Sequence, residues 1–282
     1  MSQKISVLVN TLNEEANIRN CLECVKWADE IVVVDMYSED RTLDIAREYT
    51  DKVFLHERVD YVEPARRYAL EQATNEWVLV VDADELVTRE LRDRILQIAE
   101  EDRYDVVYVP RINYFFGRAM RGTGWAPLQD MHVRFFKKWC VRYSDEIHSP
   151  VGVDPSARVY ELLDESCAFV HFNYIDAEHF IDKLNRYTTI EAKNSAAAGR
   201  SFSGLGVLYA VLKEVGWRFF LKNGFKDGFQ GLALSLLMGF YRLSAGLKLY
   251  LMERYSTENV RDTVLKQYAR IAEREIRRYE QS

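Results

Sequence analysis

Five apolar residues, Trp77 to Val81, run directly into Asp82, Ala83, Asp84 and Glu85. Acids this close repel one another unless something holds them. Two aspartates one residue apart on an extended chain point the same way. Paired carboxylates suit a hard divalent cation, Mg or Mn, which takes few protein oxygens and leaves positions for phosphate oxygens. The plain alternative is a solvated acidic turn or a cap for the following helix. D-x-D is common by chance, so its weight comes from its place at a strand end.

Two further segments end the same way. "SVLV" is followed by Asn10, Thr11, Asn13, Glu14 and Glu15, and "IVVV" by Asp35. The elements that must position them alternate. Strands are expected at "ISVLVN", "IVVVD", "KVFLH" and "WVLVVD". Helices are expected at "EEANIRNCLECVKWA", "RTLDIAREY", "EPARRYALEQA" and "TRELRDRILQIAEE". Pro64 sits in a first helical turn and Thr88 at an N-cap, both favoured places. Alternation of this kind predicts an α/β fold with a mostly parallel sheet covered on both faces. Such sheets bind ligands beyond the carboxyl ends of their strands, where these polar groups lie. Past Glu101 the pattern changes to longer strands, "DVVYVPRINYFFG" and "MHVRFFKK", and helices resume near Ala177.

The chain has 282 residues, 48% of them hydrophobic, so a sizeable core is affordable. A net charge of −6 argues against nucleic acid as a partner, which calls for a basic footprint. "MSQKISVLVN" lacks the charged and apolar regions of a signal peptide, so a cytoplasmic, reducing compartment is expected. Cys21 and Cys24 form a C-x-x-C inside a helical pattern, without a redox context, and read as ordinary helix cysteines.

"VLVNTLNEEANIRNCLE", "IVVVDMYSEDRTLDIA" and "WVLVVDADE" together resemble family 2 glycosyltransferases of GT-A fold. "GWAPLQDMHVRFFKK", "RYSDEIHSPV", "HFNYIDAEHFIDKLNRYT" and "FFLKNGFKDGFQG" resemble more closely the bacterial branch that contains lipopolysaccharide-core glucosyltransferases. The resemblance runs to about residue 255. It implies a nucleotide-sugar donor, a divalent cation and a saccharide or lipid-linked acceptor. It implies that Thr11, Asn13 and Glu14 line the nucleotide pocket, that Asp35 accepts from uracil, and that Arg66 lies near the diphosphate. Asp82 would contact ribose or metal, and Asp84 would bind metal. His148 would approach the metal or diphosphate. Asp130 falls at the place of the catalytic base; it follows a Gly-Trp turn and begins a strand, with His132 in reserve. His171 stands in a resemblance motif, whereas His56 and His179 read as structural or surface residues. The chain departs from the family at Arg67, at Gln129-Asp130 and at Ser149. Two rivals are a sugar nucleotidyltransferase, which should carry a Gly-rich loop where "NTLNEE" stands, and a non-catalytic nucleotide-sugar-binding protein.

A GT-A domain is expected over residues 1–199 and a helical region over 200–282. Residues 200 to 254 hold eight cations against three acids, with many aromatics. "GLALSLLMGFYRLSAGLKLYLM" carries Arg242 and Lys248, and two cations speak against a spanning helix. It reads either as a helix in the membrane interface, using its cations and aromatics, or as a helix pair packed on the catalytic domain or another subunit, its cations snorkelling outward. Partners therefore include a membrane surface or a second copy.

Overall fold

The computed structural model describes residues 3–58, 63–143 and 151–280. The chain divides into two compact units, Met1–Ile175 and Asp176–Ser282.

The first unit opens with the expected alternation: β1 Ile5–Thr11, α1 Ile18–Val25, β2 Glu30–Asp35, α2 Thr42–Ala46, β3 Val53–Leu55, α3 Glu63–Gln72 and β4 Trp77–Asp82. A short strand the periodicity did not announce follows at once, β5 Glu85–Val87, before α4 Arg89–Glu101. The unit is completed by β6 Val106–Phe115, β7 Arg118–Ala119, β8 Met131–Lys137, β9 Val141–Arg142, β10 Gly152–Val153, β11 Val159–Glu161 and β12 Phe169–Tyr174. The main sheet runs β3-β2-β1-β4-β8-β6-β12-β5. Strands β1 to β4 pair in parallel, while β8 lies antiparallel between β4 and β6. The sheet is therefore mixed: β6 also pairs in parallel with β11 and β12, and β5 runs antiparallel to β12.

Both faces of the part formed by β1, β2 and β4 are buried, and alternation divides the side chains between them. Val7, Val9, Val33, Leu79 and Val81 pack with α1 and α4. Leu8, Val32, Val34, Val78 and Val80 pack with Ala65 and Ala69 of α3. This is why the strands read as unbroken apolar runs. Helix α1 buries Ile18, Cys21, Leu22 and Val25, one face at helical spacing. Burial pushes the Cys21 thiol up and removes it from redox chemistry. Thr88 caps α4, accepting from Leu91 N at 3.2 Å.

The second unit is helical: α5 Ala177–Ala197, α6 Gly204–Gly216, α7 Gly228–Tyr255 and α8 Val260–Glu280. Helix α5 packs on α7, so the boundary falls at 175/176 instead of the expected 199/200. The segment Gly224–Tyr255 is long and apolar enough to cross a membrane by length and composition. Arg242 and Lys248 do not snorkel outward. Arg242 binds Glu214 at 3.0 Å and Glu191 at 3.2 Å, and Lys248 donates to Asn185, Thr188 and Thr189. Both charges are thus spent inside the helical unit.

Helices α6 and α7 meet where α7 has no side chains. A Cβ added at Gly246 would stand 2.4 Å from Val207 Cγ2, and one at Gly239 would stand 2.6 Å from Val215 Cγ2. Gly246→Leu is expected to destabilise the folded chain by about 1–3 kcal/mol through overpacking. Gly216→Ala meets nothing within 4 Å and serves as the neutral control. Urea unfolding of the two variants checks this; equal midpoints would mean the seam is not close-packed.

Candidate active site

Register brings the polar strand ends together. Thr11 lies beside Asp35, and Asn10 beside Asp82. Asp35 is fully buried and accepts from the backbone N–H of Ser38 at 2.8 Å and from its hydroxyl. Asn13 adopts a left-handed conformation, φ 55°. Its amide oxygen accepts from Glu39 N at 2.8 Å, its own N–H donates to Ser38 Oγ, and Glu14 N donates to Thr42 Oγ1. These two residues tie the loop after β1 to the loop after β2. Asn10 Oδ1 and Nδ2 and Thr11 Oγ1 are buried without hydrogen-bond partners.

The three acids of the β4–β5 turn go to three different places. Asp82 Oδ1 accepts from Arg66 at 2.6 Å, and Oδ2 from Arg134 at 2.6 Å. Burial opposes its ionisation, yet Arg134 and then Arg66 hold its carboxyl well below the usual carboxylate range. Glu85 is fully buried; it accepts from Asp82 N at 3.0 Å, from Arg134 at 3.1 Å and from Arg111 at 3.3 Å. It anchors the turn. Asp84 is the acid left for a ligand: its Oδ2 lies 3.4 Å from His171 Nε2.

That pair tests the fit of a cation. His171 Nδ1 lies 2.7 Å from Asn113 Oδ1. The Asn113 amide nitrogen donates to Asp130 Oδ2 at 2.7 Å and to Trp125 O at 3.0 Å, which fixes the amide's orientation. Nδ1 must then carry a proton, and Nε2 faces a carboxylate oxygen. A cation between the imidazole and the carboxylate would answer both. Imidazole plus carboxylate suits Mn or Mg with further ligands from phosphate and water, and the tied Nδ1–H is the usual support of a ligating histidine. No cluster of three ligating side chains stands among the described residues. His148 lies outside the described residues.

Asp130 is held on every side. Arg111 donates to its Oδ2 from Nε at 3.0 Å and from Nη2 at 2.8 Å, and His132 Nε2 lies 2.8 Å from Oδ1. Burial works to raise its pKa, but His132, Arg111 and Asn113 outweigh it and keep the group well below the usual range. Burial lowers the pKa of His132. A cavity of about 270 Å³ is lined by Arg66, Asp82, Arg111, His132 and Arg134, with Tyr108 and Tyr143. Arg66 Nε and Arg134 Nη1 are buried there without partners. A larger cleft, about 870 Å³, lies in the helical unit and carries none of the expected site residues.

Residues 6–149 match the profile of glycosyl transferase family 2. The chain belongs to that family. An uncharacterised glycosyltransferase of Rickettsia typhi is 30% identical over 85% of this chain and 84% of its own length. The lipopolysaccharide core biosynthesis glycosyltransferase LpsC of Rhizobium meliloti is 28% identical over 70% of this chain and 73% of its own. In fold the glycosyltransferase is similar to residues 1–349 of S. aureus TarS in complex with UDP-GlcNAc, with a TM-score of 0.50, 19% identity, and coverage of 95% and 92% of the two chains.

Arg111, Asn113 and Arg134 are not anticipated from the sequence, and Glu85 reads only as one of the clustered acids. A signal existed for three of them. Arg111 and Asn113 stand two apart on β6, and Arg134 follows Asp130 and His132 at steps of two into β8. Alternation turns each set to one face.

Proposed function

We propose that this glycosyltransferase moves a hexose from a UDP-sugar to a saccharide or lipid-linked saccharide, with inversion, in cell-envelope polysaccharide or lipopolysaccharide synthesis. The observation that carries it is the set of buried, unanswered polar atoms at the rim: Asn10, Thr11, Arg66 Nε and Arg134 Nη1. Each such group costs about 1–3 kcal/mol, and a nucleoside diphosphate supplies the missing partners. Thr11, Asn13 and Glu14 line the nucleotide pocket, and Asp35 accepts from uracil. Arg66, paired to Asp82, brings positive charge to the diphosphate. Asp84 and His171 would hold a divalent cation, which would supply Lewis-acid stabilisation of the leaving diphosphate. The acceptor hydroxyl attacks the opposite face of the sugar, and Asp130 takes its proton. One in-line displacement inverts the anomeric centre. A lipid-linked acceptor places this work at the inner face of the cytoplasmic membrane; the LpsC relative, named for lipopolysaccharide core synthesis, supports that setting.

A panel of UDP-, GDP-, ADP- and CMP-sugars, titrated for binding and followed for hydrolysis, tests the donor. UDP-hexoses are expected to bind at least about tenfold more tightly, a difference of about 1.4 kcal/mol. A preference for another base, or none, removes the uracil role of Asp35.

A further inference from the structure

Strand β6 lies between β8 and β12, and Asn113 is fully buried on it. Parallel register sets Asn113 beside His171 of β12. Alternation sets it on the same face as Arg111. Its backbone carbonyl accepts from Met120 N at 2.9 Å. The amide is therefore delivered from a strand paired on both edges. Both of its ends are occupied. The oxygen stands 2.7 Å from His171 Nδ1. The nitrogen donates to Asp130 Oδ2 at 2.7 Å and to Trp125 O at 3.0 Å, and the last contact holds the Gly-Trp turn that precedes Asp130.

The two neighbours depend on this amide unequally. Asp130 keeps Arg111 and His132 as partners without it. His171 Nδ1 has no second partner among the described residues, so only the 3.4 Å contact of Nε2 with Asp84 would then remain to orient the ring. An amide carries no charge and takes no proton in the working pH range. Whatever Asn113 does for the reaction must pass through the groups it holds.

We infer that Asn113 is a positioning residue for the whole reaction centre: its oxygen aims the His171 imidazole at Asp84, and its nitrogen sets the Asp130 carboxylate. The inference rests on the proposed reading of Asp130 as base and of Asp84 and His171 as ligands of the cation, and its test separates the two. Two quantities are read for the full-length chain. The rise of the thermal midpoint with Mn concentration gives Mn affinity without turnover. Turnover at saturating Mn gives kcat and KM for the donor. Asn113→Leu keeps the size and removes both polar ends. Its Mn affinity should fall about 10- to 100-fold, the usual loss when a ligating histidine loses its support, and kcat should fall with it. Asn113→Asp keeps an acceptor oxygen for the Nδ1 proton but turns a second carboxylate on Asp130. Its Mn affinity should stay near the parent's, while kcat falls about tenfold or more, because like charges disfavour two ionised carboxyls. Donor KM should change little in either variant. A residue that merely props the sheet would not split the two quantities. Equal losses of both in both variants, or parent values in both, overturn the inference. Asn113→Ser takes the place of the leucine variant if that one unfolds. A parent whose midpoint ignores Mn removes the cation reading and the His171 role with it, while kcat still decides the Asp130 role. A parent that binds Mn but transfers no sugar loses the proposed reaction, while Mn affinity in the variants still decides the His171 role.

Discussion

Asp84→Asn is expected to fold like the parent and to lose Mn- or Mg-dependent transfer altogether. Among the three acids of the β4–β5 turn, Asp82 is taken by Arg66 and Arg134 and Glu85 by Arg111, Arg134 and the Asp82 backbone. Asp84 faces Nε2 of His171 instead. Removing its charge leaves these guanidinium pairs intact, so stability should change little. The measurement has two parts. Transfer is followed with Mn, with Mg and in chelator, and the thermal midpoint is read with and without Mn. A cation that binds only the folded chain raises the midpoint; the parent should show the rise and the variant should not. A variant that keeps most of its activity, or a parent fully active in chelator, would remove the metal role.

The second large effect is at Asp130. Asp130→Asn should lower the turnover rate by about 10² to 10⁴, the usual loss on removing a general base, with donor affinity little changed. Because its partners hold the carboxyl well below the usual range, it stays ionised across the working pH range. The parent's rate should therefore show no inflection in the ordinary carboxylate range near pH 4. The amide keeps the shape and can still accept from Arg111, so a large rate loss reports the lost proton acceptor. Separate measurement of KM for donor and kcat decides the case. A loss confined to donor binding moves Asp130 into the donor pocket and promotes His132, its neighbour at 2.8 Å.

Much of the parallel half could be read from the chain. Each of β1, β2 and β4 is a buried run that ends in polar residues, and the rim follows from that alone. Glu85 could not be placed this way. Its position depends on β5, a three-residue strand that exists because β12 pairs with it from more than 80 residues away. The clustering of Arg111, Asn113 and Asp130 likewise depends on β6 and β8 lying side by side, a pairing no local periodicity announces. Alternation could say which residues share a face, but not which faces meet. The same limit applied to Arg242 and Lys248. Their spacing suggested cations for a lipid headgroup, while Glu191, Glu214 and the polar groups of α5 had already claimed them.

Asn113 ties the two halves of the site with one amide. Its oxygen takes the His171 proton and its nitrogen holds Asp130. The two ends of an amide are not interchangeable, and neither aspartate nor leucine at this position could serve both. A lineage that altered the acid at 130 would have to alter 113, and through it the imidazole at 171. Drift at these three positions is thus expected in matched sets, and an alignment of relatives should show the three changing together and not one at a time.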